Sequence, residues 1–429
     1  MARGQKLGRL AILIDDTSVG MLFNRSGSSV FVYDGSWLAN PNAYPLSISL
    51  PLISGEHPAR ISEAFFWGLL PDNEAILQRI AEDHNTSVRS LMGLLQAIGS
   101  ECPGAIRILP DLTDTALEAE PEQVIWLSET EIADRLRNLA RHPLGRKTTD
   151  HGQFSLAGAQ PKTAFIRDSS GRYGIPSGRI PTTHIIKPPV SGFDGFVENE
   201  HFCLSLAKRL GLSSCATKVE HFGDQIAIVV TRFDRRFMSD GRILRIHQED
   251  FCQAAGIHPD NKYQTLGGPS PETCLALLDS SDRPEIDKTN FILALGYNWI
   301  IGGTDGHAKN YSMLHTPNQT RLAPLYDIAS ATAYPQKYER RDLKMAMKIE
   351  QKAEFDQVMG RHWQRLAEKA RLDGDYILHR LREIADSAPD HALSVATQCQ
   401  QEGLEHPILH RLVDAVTHGA RACHHQLTL

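Results

Sequence analysis

The sequence has no apolar run long enough to cross a membrane and no pattern typical of secretion. Its longest apolar stretch, at 291–303, is interrupted by Asn298 and falls short of the roughly 20 residues that a membrane-spanning helix needs. Near the N-terminus, the apolar run at 10–14 is followed at once by Asp15 and Asp16, which argues against a signal peptide. We therefore expect a soluble protein with no membrane contact.

Cysteines are few, and none of the seven forms a CxxC pair. An odd number of scattered cysteines is typical of reduced thiols in a cytoplasmic protein, not of a disulfide framework. A basic excess is also missing, because 45 Lys and Arg residues face 51 Asp and Glu residues, for a net charge of −6. Contact with nucleic acid would therefore need a local basic patch or a partner.

The length and the sequence pattern indicate two or three domains without internal repeats. A chain of 429 residues, of which 41% are hydrophobic, can bury a large core. Residues 7–50 alternate apolar and polar side chains between turn residues, which predicts a meander of antiparallel strands. From Ser62 the apolar spacing becomes helical, and after Pro284 it predicts helices almost throughout.

Charge is distributed unevenly along the chain. Residues 101–134 hold nine acidic side chains and one Arg, which predicts a solvated connection leading into a helix at 129–141. Residues 141–190 hold eight Lys and Arg but only two Asp. This basic stretch either binds an anion or lines a solvated hairpin surface, and charge alone favours the solvated surface.

The most specific motif is GGTDGHAKN at 302–310, which follows an apolar helix and precedes a strand-like segment. Asp305 and Asn310 have the DxxxxN spacing of the protein-kinase catalytic loop, where Asp accepts a hydroxyl proton and Asn binds Mg²⁺. Asp327 ends the apolar segment LAPLYD and stands where a kinase places its second metal-binding Asp. Each feature alone is weak, but their order favours catalysis.

Two upstream features fit the same order. The β-branched segment TTHIIK ends in Lys187, like the kinase strand whose Lys binds the α- and β-phosphates, and a predicted helix after it carries Glu198 and Glu200. Either Glu could pair with Lys187. The segment at 151–162 has small residues but no GxGxxG, and its backbone N–H groups and Lys162 could still bind phosphate.

A metal-hydrolase site at Asp305, His307 and Asp327 is a weaker alternative. Zn²⁺ and Fe²⁺ sites usually present several His at ligand spacing, and no second His here has that spacing. The oxygen ligands of Asn310 and Asp327 suit Mg²⁺ better, and His307 then acts as a hydrogen-bonding group within the loop.

Several long segments resemble the HipA family, the kinase toxins of type II toxin–antitoxin modules. The resemblance runs from the N-terminal β unit to at least residue 350, and the segments that carry it are FFWGLLPDNEA (65–75), GSECPGAI (99–106), FSLAGAQPKTA (154–164), HIIKPP (184–189), ENEHFCLSLAKRLGL (198–212), RFDRR (232–236), HQEDFCQAAG (247–256), NWIIGGTDGHAKNYS (298–312) and LAPLYDIASA (322–331).

The resemblance implies a role for individual residues. Asp305 would be the catalytic base, Asn310 and Asp327 would bind Mg²⁺, and Ser155 would be an autophosphorylation site whose modification ejects its loop. The hinge Thr231–Phe233 would lie beside adenine, although the family often has Glu where this chain has Thr231. The implied nucleotide contacts are Ala157, Gly158, Ala159, Gln160, Pro161, Lys162, Lys187, Thr231, Arg232, Phe233, His307, Lys309, Asn310, Tyr326 and Asp327.

The resemblance also implies an activity and partners. It predicts an ATP- and Mg²⁺-dependent Ser/Thr kinase that phosphorylates an aminoacyl-tRNA synthetase, glutamyl-tRNA synthetase above all, and so arrests translation. A small HipB-like DNA-binding antitoxin would bind the kinase and connect it to operator DNA. Direct DNA contact at Lys337, Arg340, Arg341, Lys344 and Lys348 competes with a solvated helix face, because acidic residues interrupt that run. The alternative function is a catalytically silent kinase-like scaffold that acts as corepressor.

The expected fold is α+β, a bilobal protein-kinase-like, HipA-like arrangement with an all-helical C-terminal lobe. We expect a β-rich N-terminal subdomain at 1–110. The rest of the N-lobe, with the phosphate loop and the Lys187 strand, is predicted at 111–250. A helical C-lobe with the catalytic loop is predicted at 251–429.

Overall fold

The N-terminal part of the chain forms a four-stranded antiparallel sheet covered by helices. The computed structural model describes residues 8–110, 122–146, 150 and 152–429. The predicted meander is confirmed over residues 9–33, and the strand order is β3-β2-β1-β4. The elements of this domain are β1 (Arg9–Ile14), β2 (Thr17–Arg25), β3 (Ser28–Tyr33), α1 (Gly35–Leu38), α2 (Ala59–Gly68), α3 (Glu74–Asp83), α4 (Leu91–Ile98) and β4 (Ile106–Leu109).

A second, six-stranded sheet forms the strand-rich part of the kinase-like core. Its strand order is β5-β7-β6-β8-β10-β9, and every pairing in it is antiparallel. The elements are β5 (Val124–Trp126), α5 (Glu129–Arg137), β6 (Thr163–Arg167), β7 (Tyr173–Pro176), β8 (His184–Lys187), α6 (Phe196–Arg209), β9 (Thr217–Phe222) and β10 (Gln225–Thr231). Ser128 and Glu131 form a capping box that begins α5, which ends at Arg137, earlier than the predicted residue 141.

The C-terminal lobe is mainly helical but differs from the all-helical expectation, because small sheets surround its functional loop. Strands β13, β14 and β15 form one sheet, and β11–β12 and β16–β17 form two hairpins. The elements are β11 (Arg235–Phe237), β12 (Ile243–Arg245), β13 (His247–Asp250), α7 (Phe251–Ala254), α8 (Pro271–Leu277), α9 (Pro284–Ile301), β14 (Ser312–Thr316), β15 (Gln319–Leu322), β16 (Lys344–Ile349), β17 (Lys352–Glu354), α10 (Gly360–Lys369), α11 (Gly374–Gln401) and α12 (Ile408–Leu427).

Helix α9 positions the functional loop. Pro284 occupies its first turn, where the missing N–H costs nothing, and the following apolar residues are buried on all sides of the helix. The helix ends at Gly302, which adopts a left-handed φ of 74°. A Cβ at Gly302 would lie 2.4 Å from Thr332 Oγ1, so the close approach requires glycine here. The chain then turns directly into the segment 303–310.

Two sequence expectations about helices are changed by packing. The helical spacing at 375–388 and 390–402 predicts two helices divided by Pro389, but α11 continues through the proline, and Ala388 and Ala392 beside it are buried. Residues 353–359 were expected to be helical and instead form β17 and a short 3-10 turn.

All seven cysteines lie in the described part of the chain and are buried and unpaired. Among the described helices, none combines the length and apolar character needed to cross a membrane.

A buried ionic network joins the N-terminal domain to the segment after β10. Glu101 was expected in a solvated connection, but its carboxylate accepts hydrogen bonds from Arg235 at 2.9 Å and from Thr182 N at 3.0 Å. Arg232 also contacts Glu101 and forms an ion pair of 2.7 Å with Asp234. Burial opposes ionisation of Glu101, but Arg235 and Arg232 outweigh it and lower its pKa. The part of the acidic connection at 111–121 lies outside the described residues.

We predict that Glu101→Gln destabilises the protein by about 3 kcal/mol at pH 7, because it leaves two buried guanidinium groups without their shared carboxylate. Because the pKa of Glu101 is lower in the folded protein than its ordinary value of 4.5, its ionised carboxylate stabilises the fold at pH values above 4.5. This stabilisation is lost as the pH falls through the lowered pKa. Urea denaturation at pH 7 and pH 4 measures both effects. The control is Glu82→Gln, whose partner pair with Arg79 is exposed and should change stability by less than about 0.5 kcal/mol. Equal effects of the two variants at pH 7 would contradict the prediction.

Candidate active site

A cavity of about 450 Å³ lies between the six-stranded sheet, the N-terminal domain and the C-terminal lobe. Its volume is in the range of small-molecule and cofactor sites. All of the residues that the sequence predicts for nucleotide contact line this one cavity, together with Asp305. Ser155 is the predicted site residue that does not line it.

The loop after α9 exposes one carboxylate and buries its neighbours. The side chain of Asp305 is 68% exposed, whereas that of His307 is 5% exposed. Tyr263 Oη donates a hydrogen bond of 2.6 Å to Asp305 Oδ1, and Asn310 Nδ2 donates one of 2.7 Å to the Asp305 carbonyl. Burial lowers the pKa of His307, which favours the neutral ring. Asp305 is therefore held at both ends while its other carboxylate oxygen remains open to the cavity.

Lys187 lies buried between two carboxylates. Its Nζ is 2.7 Å from Glu200 Oε1 and 2.9 Å from Asp327 Oδ1. Burial alone would lower the pKa of Lys187, but Asp327 and Glu200 outweigh it and raise that pKa above its usual value. Of the two candidate partners on α6, Glu200 is the one that pairs with Lys187. Glu198 lines a separate groove beside residues 403–407.

Asp327 has a backbone conformation that sequence analysis did not suggest. The segment before it was expected to be a strand, but β15 ends at Leu322, and Asp327 adopts a left-handed φ of 58°. Such a conformation is uncommon outside glycine and costs about 1 kcal/mol or more, so the surrounding contacts must hold it. The contacts on either side are the bond of Asp327 Oδ1 with Lys187 Nζ at 2.9 Å and that of the preceding Tyr326 hydroxyl with the Lys309 carbonyl at 2.8 Å.

Asp327 and Asn310 offer a pair of oxygen ligands on the cavity wall. Asn310 uses its amide nitrogen as a donor to Asp305, so its carbonyl oxygen is the atom left for a ligand. One oxygen of Asp327 accepts from Lys187, and the second is not used in that contact. Two hard oxygen donors fit Mg²⁺ completed by phosphate oxygens. Within the described residues, no group of three or more His, Cys, Asp or Glu could hold a metal ion.

The loop at 154–162 is docked on the N-terminal domain. Ser155 Oγ donates to the Leu69 carbonyl at 2.6 Å, and Asp72 N donates to the Gly158 carbonyl at 3.1 Å. Gly158 has a φ of 105°, and a Cβ there would lie 2.5 Å from Lys162 Nζ. Burial and the nearby Lys187 ammonium lower the pKa of Lys162 to about 8. His151, the first residue of the predicted loop, lies outside the described residues.

The predicted hinge runs along one side of the cavity, but its arginine side chain faces away. Arg232 belongs to the ionic network with Asp234, so at this position only the backbone is available to a ligand. Thr231 N and Arg232 N donate to backbone carbonyls. Of the three hinge amides, only that of Phe233 has no hydrogen-bond partner among the described residues. The ring of Phe233 lies 5.5 Å from that of Tyr326, centre to centre.

Sequence analysis missed a second charged cluster at the cavity. Asp72, in the turn between α2 and α3, pairs with Lys262 at 3.0 Å and with Lys309 at 3.3 Å. Lys309 also pairs with Asp250 at 3.2 Å, so its ammonium is directed at carboxylates and away from any ligand. Asp72 stands in the segment FFWGLLPDNEA that carries part of the family resemblance, which was the available signal.

The basic stretch at 141–190 divides between the cavity wall and a hairpin surface. Lys162 and Lys187 line the cavity. Arg167 pairs with Glu220, and Arg172 pairs with Asp168, as a hairpin surface would. Arg146 is buried against the Phe154 ring at 4.7 Å, and its guanidinium has no hydrogen-bond partner among the described residues. Lys147 lies outside them.

The second basic run is not a helix face. Lys337 Nζ lies 4.0 Å from the centre of the Phe193 ring, and Arg340 donates to the Trp299 carbonyl at 3.0 Å. Arg341 pairs with Glu339, and Lys344 with Glu354, both near the surface. Much of the positive charge in this run is therefore already engaged within the chain.

Comparison with known proteins identifies the family. Residues 154–392 match the family described as the HipA-like C-terminal domain, and residues 10–109 match the HipA N-terminal domain. The chain belongs to the HipA family. It is 33% identical over 406 residues to the protein named "Putative kinase Y4mE" of Sinorhizobium fredii, covering 93% of this chain and 94% of the relative. These matches confirm the resemblance drawn from the motifs.

Two further comparisons concern Shewanella oneidensis. The chain is 28% identical over 364 residues to its serine/threonine-protein kinase toxin HipA, covering 81% of this chain and 79% of the relative. A solved complex of S. oneidensis HipA, HipB and operator DNA contains a chain that superposes with a TM-score of 0.82 at 24% identity, covering 98% of each chain. This likeness confirms the bilobal α+β HipA-like fold.

We predict that Lys162→Met stabilises the ligand-free HipA-family protein by about 1–3 kcal/mol at pH 7. The pKa of Lys162 in the folded protein is about 8, below its ordinary value of 10.5, so folding disfavours the charged ammonium. This destabilisation of the fold is fully present below pH 8. The advantage of the variant should shrink as the pH rises from 8 to 10.5. Urea denaturation across this range measures it.

Lys309→Met is the matched control with the opposite sign. Burial alone would lower the pKa of Lys309, but Asp250 and Asp72 outweigh it and raise that pKa. Removing the Lys309 ammonium leaves these two buried carboxylates without their shared partner, so the variant should be less stable by about 3 kcal/mol. A Lys162→Met protein that is less stable than wild type at pH 7, with no pH dependence of the difference, would refute the prediction.

Proposed function

We propose that this protein is an ATP- and Mg²⁺-dependent Ser/Thr protein kinase that acts as the toxin of a type II toxin–antitoxin module. The observation that carries the proposal is the placement of Lys187, with Glu200 and Asp327 at hydrogen-bond distance, in the same cavity as Asp305 and Asn310. These five positions are the charged and metal-binding parts of a phosphoryl-transfer site. Relatives named as kinases support the reaction class.

In the proposed mechanism, Asp305 orients and deprotonates the acceptor hydroxyl. Its carboxylate is exposed to the cavity and fixed by Tyr263, so it needs little rearrangement to accept a proton. Lys187 and Lys162 bind phosphate oxygens, and their charges offset those of the nucleotide. Asn310 and Asp327 would hold Mg²⁺, which neutralises phosphate charge when bound. Adenine would contact the hinge through the backbone at Phe233.

The proposed substrate is an aminoacyl-tRNA synthetase, glutamyl-tRNA synthetase above all, and its phosphorylation would arrest translation. This assignment rests on the family resemblance. The proposed partner is a HipB-like antitoxin that connects the kinase to operator DNA, as the composition of the S. oneidensis complex suggests. The proposed location is the cytoplasm.

We predict that Asp305→Asn lowers phosphoryl transfer by about 10²- to 10⁴-fold, because the amide cannot accept the hydroxyl proton. The experiment incubates each protein with γ-labelled ATP and Mg²⁺, with and without purified synthetases, and measures label on every protein. Asp240→Asn is the control, since this exposed carboxylate pairs only with Arg242 on a surface hairpin. No label transfer by the wild type to itself or to any synthetase would favour the silent corepressor scaffold.

Ser155 is the proposed autophosphorylation site, and the structure holds it in a protected position. Its side chain is buried, and the flanking Phe154 and Leu156 belong to the hydrophobic core of the N-terminal domain. Modification therefore requires this segment to leave the core, at a cost of several kcal/mol of lost apolar burial. A phosphate of −1.5 to −2 charge has no room in that core, so the modified loop would stay undocked.

We predict that Ser155→Ala abolishes autophosphorylation while ATP affinity and toxicity are retained, since alanine can occupy the same buried position. Phosphopeptide mass spectrometry, ATP binding and growth arrest on expression measure the three properties. Ser169→Ala, an exposed serine on the same stretch, serves as the control. Unchanged phosphate on the Ser155→Ala protein would overturn the assignment.

A further inference from the structure

The dipeptide Lys262-Tyr263 supports the catalytic loop from behind. It lies between two short 3-10 turns, Pro259–Asn261 and Gln264–Leu266. Tyr263 donates its hydroxyl hydrogen to Asp305, and its ring meets the ring of His307 edge-on, with centroids 4.9 Å apart. The Lys262 carbonyl accepts from Ala308 N at 3.4 Å. The dipeptide therefore contacts the catalytic loop through both the Tyr263 side chain and the Lys262 backbone.

Lys262 differs from the nearby Lys309 in how completely its ammonium is satisfied. Lys309 is 3% exposed, and three oxygens, from Asp72, Asp250 and Gly68, lie within 3.3 Å of its Nζ. Lys262 is 16% exposed, and Asp72 Oδ2 at 3.0 Å is its only ion-pair partner among the described residues. An ammonium group has three N–H donors, so Lys262 retains donors for a ligand.

The position of Lys262 is set by both halves of the molecule. Its backbone contacts the catalytic loop, and its side chain is held by Asp72 of the N-terminal domain. It lines the same cavity as Lys162 and Lys187, but those two belong to the loop and strand of the six-stranded sheet. Lys262 lines the same cavity as Asp305, and the residue after it, Tyr263, donates to the Asp305 carboxylate, so the dipeptide forms part of the cavity wall beside the proposed catalytic base.

We propose that Lys262 is a further phosphate-binding residue, which contacts the γ-phosphoryl group and stabilises the charge that develops on its oxygens during transfer. This inference rests on the proposed kinase function. In the step, the acceptor oxygen bonds to the γ-phosphorus, its proton passes to Asp305, and the bond to the β–γ bridging oxygen breaks with ADP leaving. Asp72 positions the ammonium, and preorganised charge of this kind lowers the barrier.

The opposing interpretation is that Lys262 only links two domains through Asp72. The two roles differ in their dependence on the γ-phosphate. A γ-phosphate contact predicts that Lys262 contributes to binding of an ATP analogue but not of ADP. A purely structural link predicts equal losses for both nucleotides, together with lower stability.

We predict that Lys262→Met leaves ADP affinity within about twofold of wild type, weakens binding of non-hydrolysable AMP-PNP by about tenfold, and lowers kcat by about 10²-fold. Equilibrium titration with Mg²⁺ present gives the two dissociation constants, and labelled ATP gives kcat. Lys262→Arg should restore most of the AMP-PNP affinity because the charge is kept. Lys344→Met is the control, since this lysine is exposed and far along the chain from the site.

Asp72→Asn keeps the Lys262 ammonium but removes the carboxylate that positions it and that also pairs with Lys309, so it should reduce the preference for AMP-PNP over ADP less than Lys262→Met does. If Asp72→Asn and Lys262→Met lose that preference equally, or if Lys262→Met weakens both nucleotides alike, the inference is overturned. The binding readout does not require activity. A wild type that binds AMP-PNP through Lys262 but transfers no label would refute the kinase function and leave this contact standing.

Discussion

The cleft depends on the buried ammonium of Lys187, which joins three separate parts of the chain. The lysine ends β8, Glu200 belongs to α6, and Asp327 follows β15, yet both carboxylates lie within 2.9 Å of the same nitrogen. A buried ammonium or carboxylate without a partner is costly, so these three elements are forced into one arrangement. Two carboxylates and one ammonium leave a single excess negative charge, and the Lys162 ammonium lies close enough to lower the pKa of Asp327. With Lys162 included, these four groups carry no net formal charge.

The N-terminal domain is part of this site and not an appendage. Phe154 and Leu156 pack into its hydrophobic core, so the loop that borders the cavity is folded by the domain's own apolar surface. Asp72 reaches the catalytic loop, and Glu101 reaches the segment after the hinge. Three faces of the cavity are thus tied to one domain, and a change that loosens this domain also changes the position of the loop, the hinge and Lys309.

Sequence patterns predicted the parts of the site whose signals are local. Asp305 and Asn310 were found because their spacing and the preceding Gly302 mark a loop after a helix, and Lys187 because it ends a β-branched strand. Helical geometry places Glu198 and Glu200 on different faces, so the sequence offered both as possible partners of Lys187 but did not distinguish them. The ion pair of Asp72 with Lys262 spans 190 residues and has no local pattern, which is why it was missed. The strand after the catalytic loop was predicted, but its short partner β15 and the hairpin β16–β17 were missed because strands of three to six residues carry little periodic signal.

The cations of the cavity come from different parts of the fold, and this constrains how the site can close. Lys162 comes from the docked loop, Lys187 from the sheet and Lys262 from the C-terminal lobe. Burial, and then repulsion from Lys187, lower the pKa of Lys162, so holding its charge in the cavity has an electrostatic cost in the absence of an anion. A polyanionic ligand that contacts these lysines would offset that cost. A nucleotide that binds only the arrangement in which the N-terminal domain is docked stabilises that arrangement by mass action. Nucleotide binding and docking of the N-terminal domain are therefore expected to be thermodynamically coupled.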